Sequence, residues 1–271
     1  MILQKIADLG FIPKRIISIV PSQTELLHYL GLEQETTGIT KFCVHPKEWF
    51  HKKIRVGGTK TININLVRQL QPDLIIANKE ENVREQVEEL AKDHAVWLTD
   101  VNNLEDALEM IKDIGELTGK EKEASVLVNE INTRFHLLSA QQQTQNSQHD
   151  PAGKPRTAYL IWRDPYMTVG GDTFINDMLV KCGFINAFGD KERYPEINVA
   201  ELKTQNCKLL LLSSEPYPFK QKHIDELSEQ LPGCKIILVD GEMFSWYGSR
   251  LLLAPDYFNE FTSRVLNHIE R

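Results

Sequence analysis

Aromatic rings and charged groups gather where predicted strands end. One group lies in the segment IWRDPYMTVGGDTF, residues 161–174, and consists of Trp162, Arg163, Pro165 and Tyr166. A second group follows the last predicted strand and consists of Met243, Phe244, Trp246 and Arg250. Rings with a few polar groups among them are typical of a pocket for a large flat organic ligand, and an arginine can pair with a carboxylate or phosphate on it. The pattern therefore indicates ligand binding by stacking and ion pairing.

Structural roles explain two of these residues equally well. Arg250 can form a salt bridge to a nearby acid, and Phe244 can pack in a core. The strand ends of the first half of the chain carry a more polar set, and its candidates are Phe42, the GGTKT turn with Thr59 and Lys60, and Asn78. Because ligands of open α/β sheets collect at the carboxyl ends of the strands, both sets are candidate ligand contacts.

Catalytic and metal-binding patterns are weak. Cys43 and His45 lie on one face of an extended segment, but no third orienting residue is evident, so we predict no catalytic residue and no enzyme. The sequence has no H-E-x-x-H or C-x-x-C spacing, and GGTKT lacks the frame of a phosphate loop, so we predict no metal site. Cys207 and Cys234 each precede an apolar run; we expect free thiols, with a disulfide as the alternative.

Composition excludes other classes. The 271 residues carry a net charge of −7, which argues against nucleic acid as a partner. No apolar run approaches the roughly 20 residues that span a bilayer, so we expect a chain that does not cross the membrane. The start shows no secretory pattern, which predicts a cytoplasmic protein if the chain is complete and a removed signal otherwise.

Strands and helices alternate along the chain, which is typical of parallel sheets with helical crossovers. Ser22 and Glu25 have the spacing of a capping box at the start of the first helix. A long helix over 120–141 interrupts the alternation, and a polar loop is predicted over 141–156. We therefore predict an N-terminal α/β lobe (1–119), a bridging helix (120–141) and a C-terminal α/β lobe (142–271), each lobe Rossmann-like.

The combination of RIISIVPSQTELLHYLGL, VGG, LVRQLQPDLIIA and KCGFINAFGD resembles the substrate-binding proteins of ABC importers for cobalamin and ferric siderophores. The resemblance runs from about residue 15 to the C-terminus. It implies the class III periplasmic binding protein fold, in which two lobes joined by one rigid helix hold a ligand in the cleft between them. It also implies no covalently bound cofactor, a monomer, and cobalamin, a ferric siderophore or a related metal chelate as ligand.

The resemblance assigns roles to particular positions. In the first lobe the implied ligand contacts are Phe42, Thr59 or Lys60, and Asn78. In the second lobe they are Trp162, Pro165, Tyr166, Met243, Phe244 and Trp246. Thr59 and Asn78 differ from the rings that cobalamin-binding members carry there.

The resemblance also implies a membrane partner. Members of the family carry one acidic residue on each lobe for docking to the permease, and the matching positions here are Asn65 and Ala200, with Glu201 adjacent. It implies a periplasmic location and function in import. The alternative is a cytoplasmic relative that acts as a ligand sensor or carrier without a transporter.

Overall fold

Short apolar strands followed by helices make up both halves of the chain. The structure is a computed structural model that describes residues 1–146 and 154–269. The chain divides into two compact units: unit 1 is Met1–Val101, Glu105–Glu130 and Trp246–Arg250, and unit 2 is Asn102–Leu104, Ile131–Ser245 and Leu251–Arg271. Within the described residues, no helix is both long and apolar enough to cross a membrane.

Unit 1 is built on a parallel five-stranded sheet. Its strands are β1 (Ile16–Ser18), β2 (Thr36–Ile39), β3 (Ile54–Arg55), a hairpin of β4 (Gly57–Gly58) and β5 (Thr61–Ile62), β6 (Leu74–Asn78) and β7 (Val96–Thr99). The sheet order is β3-β2-β1-β6-β7, and the hairpin pairs separately. The helices of this part of the chain are α1 (Pro21–Tyr29), α2 (Lys47–Lys52), α3 (Ile64–Leu70), α4 (Arg84–Leu90) and α5 (Leu104–Thr118).

The long helix α6 (Glu121–Asn146) comes next and contributes residues up to Glu130 to unit 1 and from Ile131 to unit 2. It extends beyond the predicted end at 141, because the glutamines assigned to the loop continue the helix. Residues 147–153 of that predicted loop lie outside the described residues. Gly119, at φ +68°, and Lys120 separate α5 from α6.

Unit 2 is built on a parallel four-stranded sheet. Its strands are β8 (Arg156–Leu160), β9 (Tyr166–Met167), β10 (Ile185–Asn186), β11 (Glu196–Ile197), β12 (Leu209–Ser213) and β13 (Lys235–Val239). The main sheet has the order β10-β8-β12-β13, and β9 pairs antiparallel with β11. The helices are α7 (Phe174–Lys181), α8 (Val199–Thr204), α9 (Gln221–Gln230), α10 (Glu242–Ser245) and α11 (Ala254–Ile269).

Local sequence explains how the helices begin. Thr173 caps α7, where its Oγ1 accepts the backbone N–H of Asn176 at 3.2 Å. The capping box predicted at Ser22 and Glu25 is wrong, because α1 already begins at Pro21, whose fixed φ suits the first helical position. Glu25 is thereby left available for another partner.

The predicted fold class is confirmed: two Rossmann-like α/β units are joined by one long helix. The predicted residue limits of the lobes stay a prediction. The segment Trp246–Arg250 belongs to unit 1, although the residues on both sides of it in the sequence belong to unit 2.

Candidate ligand-binding site

Trp162 is the most exposed ring among the unit 2 candidates. Its side chain is 40% exposed, directly after β8. Tyr217 meets it edge-on at a centroid distance of 5.7 Å, and Tyr217 packs in turn on Phe219 and His223 at 4.8 and 5.6 Å. This cluster supports Trp162 from one side and leaves the rest of the ring open for stacking.

Arg163 is held by acids of its own unit. Its Nη2 lies 2.8 Å from Oε2 of Glu226, and its Nε lies 3.7 Å from a carboxylate oxygen of Asp164. Tyr166 is half-buried beside it, and burial raises the pKa of the Tyr166 phenol against the opposing effect of Arg163. Pro165 is exposed in the turn between β8 and β9.

The glycine pair of this segment allows two stretches of backbone to approach closely. The N–H groups of Gly170 and Gly171 donate to the carbonyls of Arg193 and Lys191 at 2.7 and 2.8 Å. A Cβ on Gly171 would lie 2.2 Å from the carbonyl oxygen of Gly189. Glycine is therefore required here for packing, so the pair fixes the end of the segment that carries Trp162.

The residues after β12 and β13 form a hydrogen-bonded layer. The Tyr159 hydroxyl donates to Ser213 Oγ at 3.1 Å, and the Ser245 hydroxyl donates to Glu215 Oε1 at 2.6 Å. Gly241 passes closely over this layer, where a Cβ would lie 2.3 Å from Ser213 Oγ. Met243 follows Gly241 and is half-buried.

Phe244 lies in the core of unit 2. Its ring is completely buried and packs against Tyr159, Tyr257 and Phe258 at 5.3, 6.2 and 4.9 Å. Core packing, the alternative that the sequence left open for Phe244, is thus what the structure shows, and its role as a ligand contact stays a prediction. Its position after a strand could not decide between the two, because that position does not show whether a side chain turns outward or into the core.

Arg250 and Trp246 lie in unit 1, not in the second lobe where their sequence position puts them. Arg250 forms a two-point ion pair with Glu25, with Nη2–Oε1 and Nε–Oε2 distances of 2.6 and 3.0 Å. Its guanidinium lies 5.0 Å from the centroid of Trp246, and His45 meets the same ring edge-on at 5.4 Å. The alternative for Arg250, a salt bridge to a nearby acid, is thus what the structure shows.

The remaining unit 1 candidates separate into exposed and buried groups. Phe42 is 50% exposed, with Lys41 Nζ 5.1 Å from its centroid. Lys60 is exposed and donates to the carbonyl of Glu80 at 2.5 Å, whereas the carbonyl of Thr59 accepts from Asn82 at 3.1 Å. Phe42 and Lys60 are therefore the unit 1 candidates most accessible to a ligand.

Asn78 is buried at the end of β6. Its side chain is 1% exposed, donates to Thr99, and accepts the N–H groups of Glu80 and Glu81 at 2.8 and 3.2 Å. These hydrogen bonds shape the turn after β6, and a ligand contact at Asn78 stays a prediction.

Cys43 lacks the environment of a nucleophile. Burial raises the pKa of its thiol to about 11, and its Sγ lies 3.1 and 3.2 Å from the hydroxyls of Thr24 and Thr40. A reactive cysteine requires the opposite shift of its pKa. Across the described residues, no group of three or more His, Cys, Asp and Glu side chains could hold a metal ion.

Sequence reasoning missed the residues that support the exposed groups. Glu25 was assigned to a helix cap, while Tyr217 and His223 received no role in the site. The signal available for Tyr217 was its position two residues beyond Glu215, in the segment that follows strand β12.

Comparisons with known proteins show the family of the chain. The profile of the periplasmic binding protein family matches residues 16–233, and the chain belongs to this family. A Bacillus subtilis (strain 168) protein named as an uncharacterized ABC transporter substrate-binding lipoprotein, YvrC, is 31% identical over 185 residues. That match covers 66% of this chain and 57% of the relative, a little over half of its length. A vitamin B12-binding protein of Photorhabdus laumondii is 24% identical over 247 residues, covering 90% and 86%.

Solved structures share the fold. The vitamin B12-binding protein BtuF of Vibrio cholerae has a TM-score of 0.77 at 18% identity, covering 94% of this chain and 98% of that one. A periplasmic heme-binding protein of Pseudomonas aeruginosa has a TM-score of 0.80 at 19% identity, covering 93% and 92%. Family membership confirms a binding protein rather than an enzyme.

Proposed function

We propose that the chain is the substrate-binding protein of an ABC-type importer and captures cobalamin, haem, a ferric siderophore or a related metal chelate. The observation that carries the proposal is the exposed Trp162 ring at the end of β8, supported by Tyr217. Metal chelates of this kind present flat or apolar faces, and a fixed ring stacks on such a face at low entropic cost. Family membership and the names of the relatives support the same function.

The test is ligand binding by Trp162 and Tyr166 variants. The double variant Trp162→Ala with Tyr166→Ala should bind the chelate that the unchanged protein binds at least about 30-fold more weakly, as measured by calorimetry. The reason is that the two stacking contacts together contribute about 2 kcal/mol. The melting temperature should stay within a few degrees. Phe11→Ala is the matched control, because Phe11 is an exposed ring of unit 1 outside the candidate set. Unchanged affinity of the double variant would show that Trp162 and Tyr166 do not contact the ligand.

A permease partner follows from the same proposal. Asn65 is exposed at the start of α3, and Glu201 lies in the first turn of α8, where its Oε2 accepts the N–H of Asn198 at 2.9 Å. We expect Glu201 to be the docking acid of unit 2. Glu201→Gln retains the cap and removes the charge, so weaker co-purification with the permease at unchanged melting temperature would support this role; undiminished co-purification would oppose it.

The cellular location of the protein distinguishes a component of an importer from a cytoplasmic carrier that has no transporter. The relatives named as transporter components favour the importer. Fractionation of the native host should place the protein outside the cytoplasmic membrane. Recovery from the cytosol without any permease would support the carrier.

A further inference from the structure

Two of the four cysteines lie side by side at the amino-terminal end of the unit 2 sheet. Strands β12 and β13 are parallel neighbours whose register pairs Leu209 with Lys235, and the N–H of Lys235 donates to the carbonyl of Lys208 at 3.0 Å. Cys207 directly precedes Lys208, and Cys234 directly precedes Lys235. Because neighbouring strands are about 4.8 Å apart, this register brings the two cysteines to adjacent positions, and both thiols are free.

Both side chains face one cavity. The cavity has a volume of about 480 Å³, and its lining includes Cys207 and Cys234. Cys207 is buried in a hydrophobic cluster, and the half-buried Cys234 packs against the same cluster. Burial, and then Cys207, raise the pKa of the Cys234 thiol to about 12, so the two sulfurs are close enough to affect each other's charge. The cavity therefore presents a pair of thiols, and solvent reaches the pair at Cys234.

The charged groups around the pair are cations. Burial raises the pKa of the Cys207 thiol, and Arg156 opposes this shift. Arg156 is held in this region by donation from its Nε to the carbonyl of Gln205 at 3.0 Å. None of the described residues that line the cavity is a carboxylate, and Lys203 and Lys208 add positive charge at its rim. A metal complex with net negative charge is therefore favoured here.

We propose that Cys207 and Cys234 bind one soft monovalent metal ion, Cu(I), through their two sulfur atoms. Thiolates select Cu(I), and Cu(I) forms linear complexes with only two ligands. Such a site needs fewer ligands than the groups of three that are absent from the described residues. On binding, two S–H bonds break, two Cu–S bonds form, and both protons pass to solvent without a change in oxidation state. The complex carries one net negative charge, which Arg156 and the lysines at the rim offset.

The thiol pair is separate from the chelate site proposed above. Strands β8 and β12 are parallel neighbours, so Trp162 after β8 and Cys207 before β12 lie at opposite ends of the same sheet. The two cysteines are far apart in the sequence and lack C-x-x-C spacing, so no sequence motif could reveal the pair.

Competition for Cu(I) between the reduced full chain and bicinchoninate, under argon, tests the site through the absorbance of the Cu(I)–bicinchoninate complex. One ion per chain should leave the chelator, and about two protons per ion should be released. Cys207→Ser and Cys234→Ser should each weaken binding at least about 100-fold, because even the loss of an outer-shell partner costs about 10- to 100-fold. Failure of the reduced chain to take Cu(I) from the chelator would overturn the site and leave the proposed function standing.

The other two cysteines, Cys43 and Cys182, supply the matched control. The double variant Cys43→Ala with Cys182→Ala keeps the pair and should bind Cu(I) as the unchanged chain does. The double variant Cys207→Ser with Cys234→Ser also keeps two thiols, but it should take no Cu(I) from the chelator; equal binding by the two double variants would overturn the assignment. X-ray absorption of the Cu(I)-loaded unchanged chain gives a test that needs no variant. Two sulfur neighbours and no nitrogen would support the pair, and a nitrogen neighbour or a third sulfur would oppose it.

Discussion

The ion pair between Glu25 and Arg250 is expected to be the largest single electrostatic contribution to the stability of unit 1. Its two hydrogen bonds, at 2.6 and 3.0 Å, join α1 to the Trp246–Arg250 segment. The side chains are 9% exposed for Arg250 and 19% for Glu25. Glu25→Gln would remove this carboxylate charge from a guanidinium that is buried against the Trp246 ring.

The magnitude follows from burial and distance. Two unit charges about 4 Å apart interact by about 4 kcal/mol at an effective dielectric constant of 20, and breaking a buried pair costs about 3–5 kcal/mol. The partial exposure of Glu25 and the hydrogen bond that Gln can still accept reduce this value. We expect Glu25→Gln to lower the free energy of unfolding by about 2–3 kcal/mol. Arg250→Met should cost less, about 1–2 kcal/mol, because the more exposed Glu25 can recruit water.

Denaturant unfolding monitored by tryptophan fluorescence measures these changes. Three of the four tryptophans, Trp49, Trp97 and Trp246, belong to unit 1, so the signal reports mainly on that unit. The double variant Glu25→Gln with Arg250→Met should be less destabilised than the sum of the two single changes. A loss below about 0.5 kcal/mol for Glu25→Gln, or strict additivity in the cycle, would refute the reasoning.

Two further predictions follow from shifted pKa values. Burial, and then Glu109 and Glu116, raise the pKa of the Asp113 carboxyl to about 6, so the stability present below about pH 4 is lost as the pH rises towards 6. Asp113→Asn should therefore raise the free energy of unfolding at pH 7.5 by about 1 kcal/mol, after discounting for the exposed half of the side chain, and leave it unchanged at pH 4; an equal gain at both pH values would contradict the assignment. Burial raises the thiol pKa of Cys43 to about 11 and of Cys182 to about 12. Both should react with Ellman's reagent at pH 8 at least about 100-fold more slowly in the native than in the urea-unfolded chain; rapid native reaction, located by peptide mapping, would show that these sites open.

The parallel sheets and the long helix could be predicted because their signals are local. Residues 74–77 of β6 and 209–212 of β12 are all apolar, as is typical of strands buried on both faces, and both strands are completely buried. The apolar stripe of α6 recurs at helical spacing over several turns. This periodicity can be recognised in the sequence without knowing which element packs against the helix.

The site could be predicted only in part, because its decisive contacts join residues far apart in the chain. Arg250 and Glu25 are 225 positions apart, so the sequence offered a ligand and a salt bridge as equal partners for Arg250. Strands of two residues, such as β4 and β5, are also too short to show a periodic signal in the sequence. The six residues of helix α2 are likewise too few for one. The burial of Phe244 and Asn78 could not be predicted for a related reason: a position at the end of a strand does not reveal whether a side chain turns outward or into the core.

The support behind Trp162 depends on the charge state of His223. The N–H of Lys220 donates to His223 Nδ1 at 2.8 Å, so this nitrogen must be unprotonated. Burial, and then Arg163, lower the pKa of His223, which keeps the ring neutral at physiological pH. A neutral His223 can hold Tyr217 and Phe219 at ring distances of 5.6 and 5.4 Å, and Tyr217 in turn fixes the edge of Trp162. The exposed ring is thus held in place from behind by Tyr217 and His223. Under the proposed function, this preorganisation would lower the entropy lost when a flat chelate stacks on Trp162.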